Sequence, residues 1–240
     1  MYTLRLGCIV LGATALAFWL ILPVNGKVRP WITESLEPFV VLAIVGGAAQ
    51  AQSTGECKSE PKAKCANVKL EWIDWRGANL PGANFEGADL QFANLANANL
   101  QGANFRGANL KWARLSGVDL RGASFDLANM QSVDLETANM AGATLRGAKL
   151  QKANLRLADL EKANLTEANL SAADITGADL QGASLNAATL EGTDFSMAKL
   201  KGTNLRDSEM KKARLVGANL MEAIWVDGRV CGASSIGGCK

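Results

Sequence analysis

"GANFRGANLKWA", residues 102–113, starts again before it has finished: Gly102-Ala103-Asn104-Phe105, one residue, Gly107-Ala108-Asn109-Leu110, one residue, then Trp112-Ala113. Written in fives from Val68, the frame never slips. Leu70, Trp75, Leu80, Phe85, Leu90, Leu95 and Leu100, and so on to Leu220 and Trp225, fill every fifth place. Two residues before each stands a small or branched residue, such as Ala78, Ala83, Ala88, Val118, Val133, Thr193 or Ser208. Asn or Asp often lies between the two, and Gly often follows at the fifth place. A helix needs apolar residues at a period near 3.6 and a strand near 2, and five is neither. Apolar residues two apart can both point inward, as alternate residues of a short strand do. The other three then turn a corner. Four fives make one square lap, and a lap buries its inward side chains only by stacking on its neighbours.

This A(N/D)LXX pattern resembles the pentapeptide-repeat family. The resemblance covers roughly 68–227, about two thirds of the chain, in some thirty consecutive units. It implies an all-β fold, a right-handed quadrilateral β-helix of about eight coils; the apolar stretches ahead of it are expected, from their own composition, to form N-terminal hydrophobic helical segments. The square geometry adds its own test, because equivalent corners recur every twenty residues. Phe85, Phe105 and Phe125 obey that step. So do Glu86, Arg106, Asp126 and Arg146, with alternating charge, and the pairs Arg114 with Asp134, Glu136 with Arg156, and Asp194 with Arg214. Neighbouring coils about 4.8 Å apart set such charges face to face, and exposed pairs of this kind hold register for about 0.2–1 kcal/mol each. Gly102, Gly107, Gly117 and Gly122 suit corners with positive φ. Lys152, Leu157, Lys162 and Glu167 occupy the same place, so those coils are expected to use another turn or carry slight strain. Pro81 falls in an outward slot that can spare its donor.

Cys57 and Cys65 precede the repeats, and Cys231 and Cys239 follow them. Eight coils put the two ends nearly 40 Å apart, whereas a disulfide needs Cα atoms within about 7 Å. The expected bridges are therefore Cys57–Cys65 and Cys231–Cys239, stapling caps over solenoid ends that would otherwise expose apolar cross-sections and unpaired edges. A zinc site is the rival reading, and two cysteines per end, eight residues apart with no histidine, match none of its usual spacings. Disulfides belong to oxidising compartments.

The front of the chain points the same way. Leu6–Val24 is uncharged and approaches the roughly 20 residues of a membrane-spanning helix, with Arg5 before it and Lys27 and Arg29 after. Phe39–Ala49 has the length of a signal-peptide core and runs into Ala49-Gln50-Ala51, a small-x-small pattern that places cleavage after Ala51. Two arrangements export the repeats, one with both segments acting and one with the first alone inserted. A two-span hairpin would keep them cytoplasmic, and a start codon ahead of the true one would also stack two signals. The domain reading is a targeting or anchor region over 1–51, an N-terminal cap over 52–67, the solenoid over 68–227 and a C-terminal cap or tail over 228–240.

Composition narrows the function. Only 6% of the 240 residues are aromatic, so the core must be narrow and built from Ala and Leu. Lys+Arg 25 against Asp+Glu 23 gives a net charge of +2, which argues against a nucleic-acid partner. The chain has no histidine, the usual general base and metal ligand. Solvated carboxylates on a regular face have no burial to tune them. No catalytic residue, cofactor or metal is implied. One departure stands out: Phe92 and Trp112 share a corner twenty residues apart where Gly is otherwise frequent, with Lys111 and Lys152 on the same side. They cover a local step, pack under the N-terminal cap, or anchor a protein or glycan, since aromatics are enriched at interfaces. The expected function is an exported, non-enzymatic scaffold or protein-binding module in the periplasm or on the outer face of the cytoplasmic membrane of a bacterial envelope. Its partner would be a protein or other envelope component, with the membrane engaged through the N-terminal segment. The resemblance also implies an alternative, since some family members mimic DNA and protect a type II topoisomerase from quinolones. Those mimics are strongly acidic, whereas acids and bases nearly cancel here. A membrane-tethered cytoplasmic interaction module is the second alternative.

Overall fold

The computed structural model describes residues 57–240 and, in a separate unit spanning Met1–Gly47, the two-residue strands β1 (Pro23–Val24) and β2 (Lys27–Val28). β1 and β2 pair antiparallel, Pro23 against Val28 and Val24 against Lys27. The last two residues of the first apolar segment are thus strand, where a helix is expected from their apolarity. The rest of that segment, the segment at 39–49 and the cleavage site at Ala51 lie outside the described residues. Among the described residues no helix is long and apolar enough to cross a membrane.

From Lys64 onward the chain winds in laps of twenty residues. Every fifth residue from Lys64 to Asn204, each just before the second inward residue of its unit, forms a parallel bridge with its counterpart twenty positions later, from Lys64 with Asn84 to Asn204 with Ile224. One side of one coil shows how the pattern closes. The Phe85 amide donates to the Asn104 carbonyl at 2.7 Å, the Asn104 amide donates back to Ala83 at 2.9 Å, and the Ala88 amide closes the corner on the Phe85 carbonyl at 3.0 Å. The amide after the inward residue donates to no backbone carbonyl of a neighbouring coil. The Asn or Asp before that residue takes it instead, as when Glu86 N–H donates to Asn84 Oδ1 at 3.1 Å. This local competition for the backbone explains the Asn/Asp preference. Pro81 stands in that slot, the second residue of the turn, where proline is favoured and where only this side-chain bond is forgone.

The inward residues form one continuous column of Leu, Phe and Ala, nearly all 0–1% exposed from Leu80 to Leu205. Where a hydroxyl replaces Ala it is satisfied: Thr193 Oγ1 donates to the Leu170 carbonyl at 2.8 Å, Thr203 Oγ1 to Leu180 at 2.7 Å and Ser208 Oγ to Leu205 at 2.7 Å. Phe85, Phe105 and Phe125 stack through the centre with ring centroids 4.9 and 4.7 Å apart and planes within 12°.

The corners are uniform. All positions at five-residue steps from Lys62 to Glu222 have positive φ, between 54° and 70°, whether the residue is glycine or not. Lys152 (60°), Leu157 (56°), Lys162 (56°) and Glu167 (61°) therefore make the same turn as their glycine neighbours, with the left-handed penalty of L-residues carried locally. The inter-coil bonds on both sides of each corner leave no room for another turn. A glycine is required sterically only where the preceding coil's corner side chain lies over it. A Cβ on Gly117 would sit 2.5 Å from Asn97 Oδ1, whereas one on Gly142 meets nothing within 4 Å. Gly142→Ala is expected to cost about 1 kcal/mol for the left-handed backbone alone, and Gly117→Ala clearly more. Urea denaturation midpoints of the two variants check the order.

Both ends are closed by bridged caps. Cys57 and Cys65 are joined at S–S 2.06 Å with Cα atoms 4.8 Å apart, and Cys231 and Cys239 at S–S 2.11 Å and 5.0 Å. The winding starts upstream of Val68: Ala63 and Cys65 already fill the two inward places of a unit, 2% and 0% exposed, so Cys65 belongs to the first coil as well as to the cap. At the other end the tail reverses and pairs antiparallel, Asn219 with Ile236 and Ile224 with Val230. Leu220 N–H then donates to Ser235, Glu222 N–H to Cys231 and Trp225 N–H to Arg229, all within 3.0 Å. A reversed strand satisfies the last parallel edge without offering another of the same kind.

Candidate functional site

A residue at a left-handed corner projects its side chain outward and toward the following coil. Leu127 and Leu157 lie in this way over Gly147 and Gly177, where an added Cβ would meet Leu127 Cδ2 at 3.0 Å and Leu157 Cδ2 at 2.8 Å. Where three successive corners of one column are aromatic, the rings meet each other instead. Trp72 stacks on Phe92 with centroids 4.2 Å apart and planes 6° from parallel, and Phe92 stacks on Trp112 at 4.9 Å and 11°. Lys111 Nζ stands 3.9 Å from the centroid of the Trp112 ring, a cation–π contact. The ladder lies on the surface, with Trp72 64% and Trp112 42% exposed and Phe92 half-buried between them.

Of the four residues singled out in the sequence, the structure brings Phe92, Trp112 and Lys111 together. Lys152 shares their corner column, but Ser132 occupies the intervening corner, and no ring or cation contact joins Lys152 to the ladder among the described residues. Trp72, the most exposed ring, is the member that sequence reading missed. Its signal is the same twenty-residue step, counted back from Phe92.

The stacking decides what the ladder can grip. Sugar rings bind aromatic side chains through open ring faces, and here both faces of Phe92 and one face of each tryptophan are already covered. What remains is a ridge of ring edges about two coils long, plus the outer face of Trp72. A ridge of apolar edges rimmed by polar side chains has the make-up of a protein interface core.

The surface charges follow the coil geometry only in part. Arg106 pairs with Glu86 at 3.9 Å and Arg214 with Asp194 at 3.3 Å, as the twenty-residue step requires. Arg106 with Asp126, Asp126 with Arg146, Arg114 with Asp134, and Glu136 with Arg156 form no ion pairs. Long side chains reach nearer partners instead: Arg156 goes to Asp174 at 3.3 Å, Arg121 to Asp119 at 2.7 Å and Arg76 to Asp74 at 2.9 Å, while Asp126 Oδ1 accepts the Arg146 backbone N–H at 2.9 Å. The hydrogen bond from Arg76 holds the Asp74 carboxyl below its usual range, and that from Arg121 does the same for Asp119. Both stay ionised at neutral pH, the wrong direction for a general acid. Among the described residues no three His, Cys, Asp or Glu side chains converge as a metal-binding set.

Comparisons with known proteins place this architecture. The family model for pentapeptide repeats matches in eight copies over 63–102, 103–140, 138–177, 168–207 and 190–224. Among solved structures the chain is similar to HetL, a pentapeptide repeat protein involved in heterocyst differentiation regulation from the cyanobacterium Nostoc sp. strain PCC 7120. That likeness has 27% identity and a TM-score of 0.53, covering 71% of this chain and 90% of HetL. A pentapeptide repeat protein of the Arabidopsis thaliana thylakoid lumen is 32% identical over 52% of this chain and 74% of its own, with a TM-score of 0.34. Trypsin-treated QnrB1, a plasmid-mediated fluoroquinolone resistance protein, is 19% identical over 62% of this chain and 85% of its own, with a TM-score of 0.43. A comparison with curated proteins returns no match. The winding is a right-handed β-helix, and the chain belongs to the pentapeptide-repeat family.

Proposed function

We propose that this chain is an exported, non-catalytic scaffold of a bacterial cell envelope that docks a protein along the Trp72–Phe92–Trp112 ridge. The observation that carries the reading is the exposed three-ring stack on a fold whose other corners are mostly glycine or small polar residues. Export is supported by the two bridged caps, since disulfides persist in oxidising compartments, and by the apolar segments at the front of the sequence. A non-catalytic role is supported by the absence of histidine from the sequence and by carboxylates that stay ionised.

Thiol labelling of fractionated cells, before and after reduction, tests the location. Cys57, Cys65, Cys231 and Cys239 are expected to react only after reduction, with the protein in the envelope fraction. The same four thiols free before reduction, with the protein in the cytosol, would favour the topoisomerase-binding or cytoplasmic tether readings instead; Cys8, outside both bridges, does not count in the test. A photoreactive phenylalanine analogue placed at Phe92 tests the ridge, and the expected result is a covalent protein adduct that is lost with Trp72→Ala/Trp112→Ala. The absence of any protein adduct would remove the docking role.

A further inference from the structure

The ridge is flanked by two lines of side chains, one on each side of the aromatic corner, and both carry the same order of charge. On the near side, coil by coil, stand Glu71, Gln91 and Lys111. On the far side stand Asp74, Asn94 and Arg114. Each line thus runs negative, neutral, positive, in step with Trp72, Phe92 and Trp112. Successive members are about 4.8 Å apart along the solenoid. Glu71, Asp74 and Arg114 are exposed and the others half-buried.

Such an order is complementary to itself in one arrangement only. If a second copy faces the ridge with its axis reversed, related by a two-fold axis through the level of Phe92, then Glu71 of each copy faces Lys111 of the other. Likewise Asp74, which also holds its own Arg76, faces Arg114. Gln91, whose Nε2 already donates to Asp89 at 3.1 Å, and Asn94 meet their own counterparts at the axis, so that no like charges of these two lines oppose each other there. The tryptophans cross, Trp72 of one copy against Trp112 of the other, with the phenylalanines at the centre. A parallel arrangement, with the two-fold axis along the solenoid, would set Glu71 of one copy against Asp74 of the other and Lys111 against Arg114, which costs energy. Closed two-fold dimers of this isologous kind are the commonest symmetric assembly.

On the reading of the ridge as a protein-docking surface, we infer that its occupant is a second copy of this chain, bound antiparallel. The ridge is narrow beside the roughly 800 Å² per partner of a standard interface. The association is therefore weak in solution and is aided when both copies are held at one surface.

Sedimentation of the full chain, oxidised and in mild detergent, from micromolar to roughly millimolar concentration tests the inference. The wild type is expected to dimerise. Glu71→Lys or Lys111→Glu alone should weaken the dimer about tenfold or more, because symmetry turns two attractive exposed pairs into two repulsive ones. The double swap Glu71→Lys/Lys111→Glu should return the affinity to near wild type. A second readout does not depend on those charges: in a Cys8→Ser background, which removes the one cysteine outside the two expected bridges, Gln91→Cys, at the axis, should be joined to itself by a short bismaleimide, while Gln151→Cys, three coils along the same line, should not. A chain that stays monomeric, or a dimer indifferent to both reversals, would overturn the inference. The photo-cross-linking at Phe92 separates the two failures. A monomer that still gives a ridge adduct with another protein loses only the second copy as occupant, whereas a monomer with no adduct loses the docking surface too.

Discussion

Phe105→Ala is expected to destabilise the solenoid by about 4 kcal/mol, near the upper part of the range for large-to-small core changes. Phe105 is 0% exposed and is the middle ring of the buried stack, with Phe85 at 4.9 Å and Phe125 at 4.7 Å. Its loss removes two aromatic contacts, each worth about 0.5–1.5 kcal/mol beyond burial. The space left cannot collapse, because the backbone around it is pinned to both neighbouring coils. Phe105 N–H donates to Ser124 at 2.6 Å and Asn104 N–H to Ala83 at 2.9 Å. Phe105→Leu, which restores the commonest inward residue, should cost only about 1–2 kcal/mol. Urea unfolding followed by circular dichroism checks both values. Because each coil touches only its neighbours, the alanine variant should also unfold less cooperatively, with a shallower transition as the two halves uncouple.

Cys231→Ala/Cys239→Ala is expected to cost about 2.5 kcal/mol, the chain-entropy value for closing an eight-residue loop. The effect should be local to the last coil. Leu220, Glu222 and Trp225 donate their amides to Ser235, Cys231 and Arg229, all in the tail that the disulfide holds in place. Hydrogen exchange should therefore speed up at those three amides while amides near Phe105 keep their protection. Loss of protection spread evenly over all coils would mean that the tail is no cap.

The unbroken register was enough to place the inward residues, since a five-residue period leaves only one way to bury Ala and Leu two places apart. Three features were not legible, each for a physical reason. Cys65 reads as a cap cysteine, yet cysteine is a small apolar residue that packs inward as well as bridging, and Ala63 two places before it completes the unit. The corners at Leu157 and Lys162 invite a different turn because L-residues avoid positive φ. Inter-coil bonding at each step outweighs a penalty of about 1–2 kcal/mol per residue. The charge pairs at twenty-residue spacing depend on side chains that reach several partners, so Arg156 passes over Glu136 and meets Asp174. For the candidate site, one residue short of the full ladder was visible. Phe92 and Trp112 stand out against the glycine-rich corners, while Trp72 sits in a coil where Trp75 draws the eye as the inward residue. The edge-on presentation of the rings, which favours a protein over a glycan, depends on interplanar angles that no spacing rule supplies.

The central claim is that one lap consumes twenty residues and advances by one strand spacing. It is tested most directly by electron–electron distance measurement between spin labels at Glu86→Cys and Asn186→Cys, which occupy the same outward slot five laps apart. A narrow distribution centred near about 24 Å is expected, five times the strand spacing of about 4.8 Å. A broad distribution, or a centre well beyond 30 Å on the same scale, would contradict the winding and with it the ridge built on its corners.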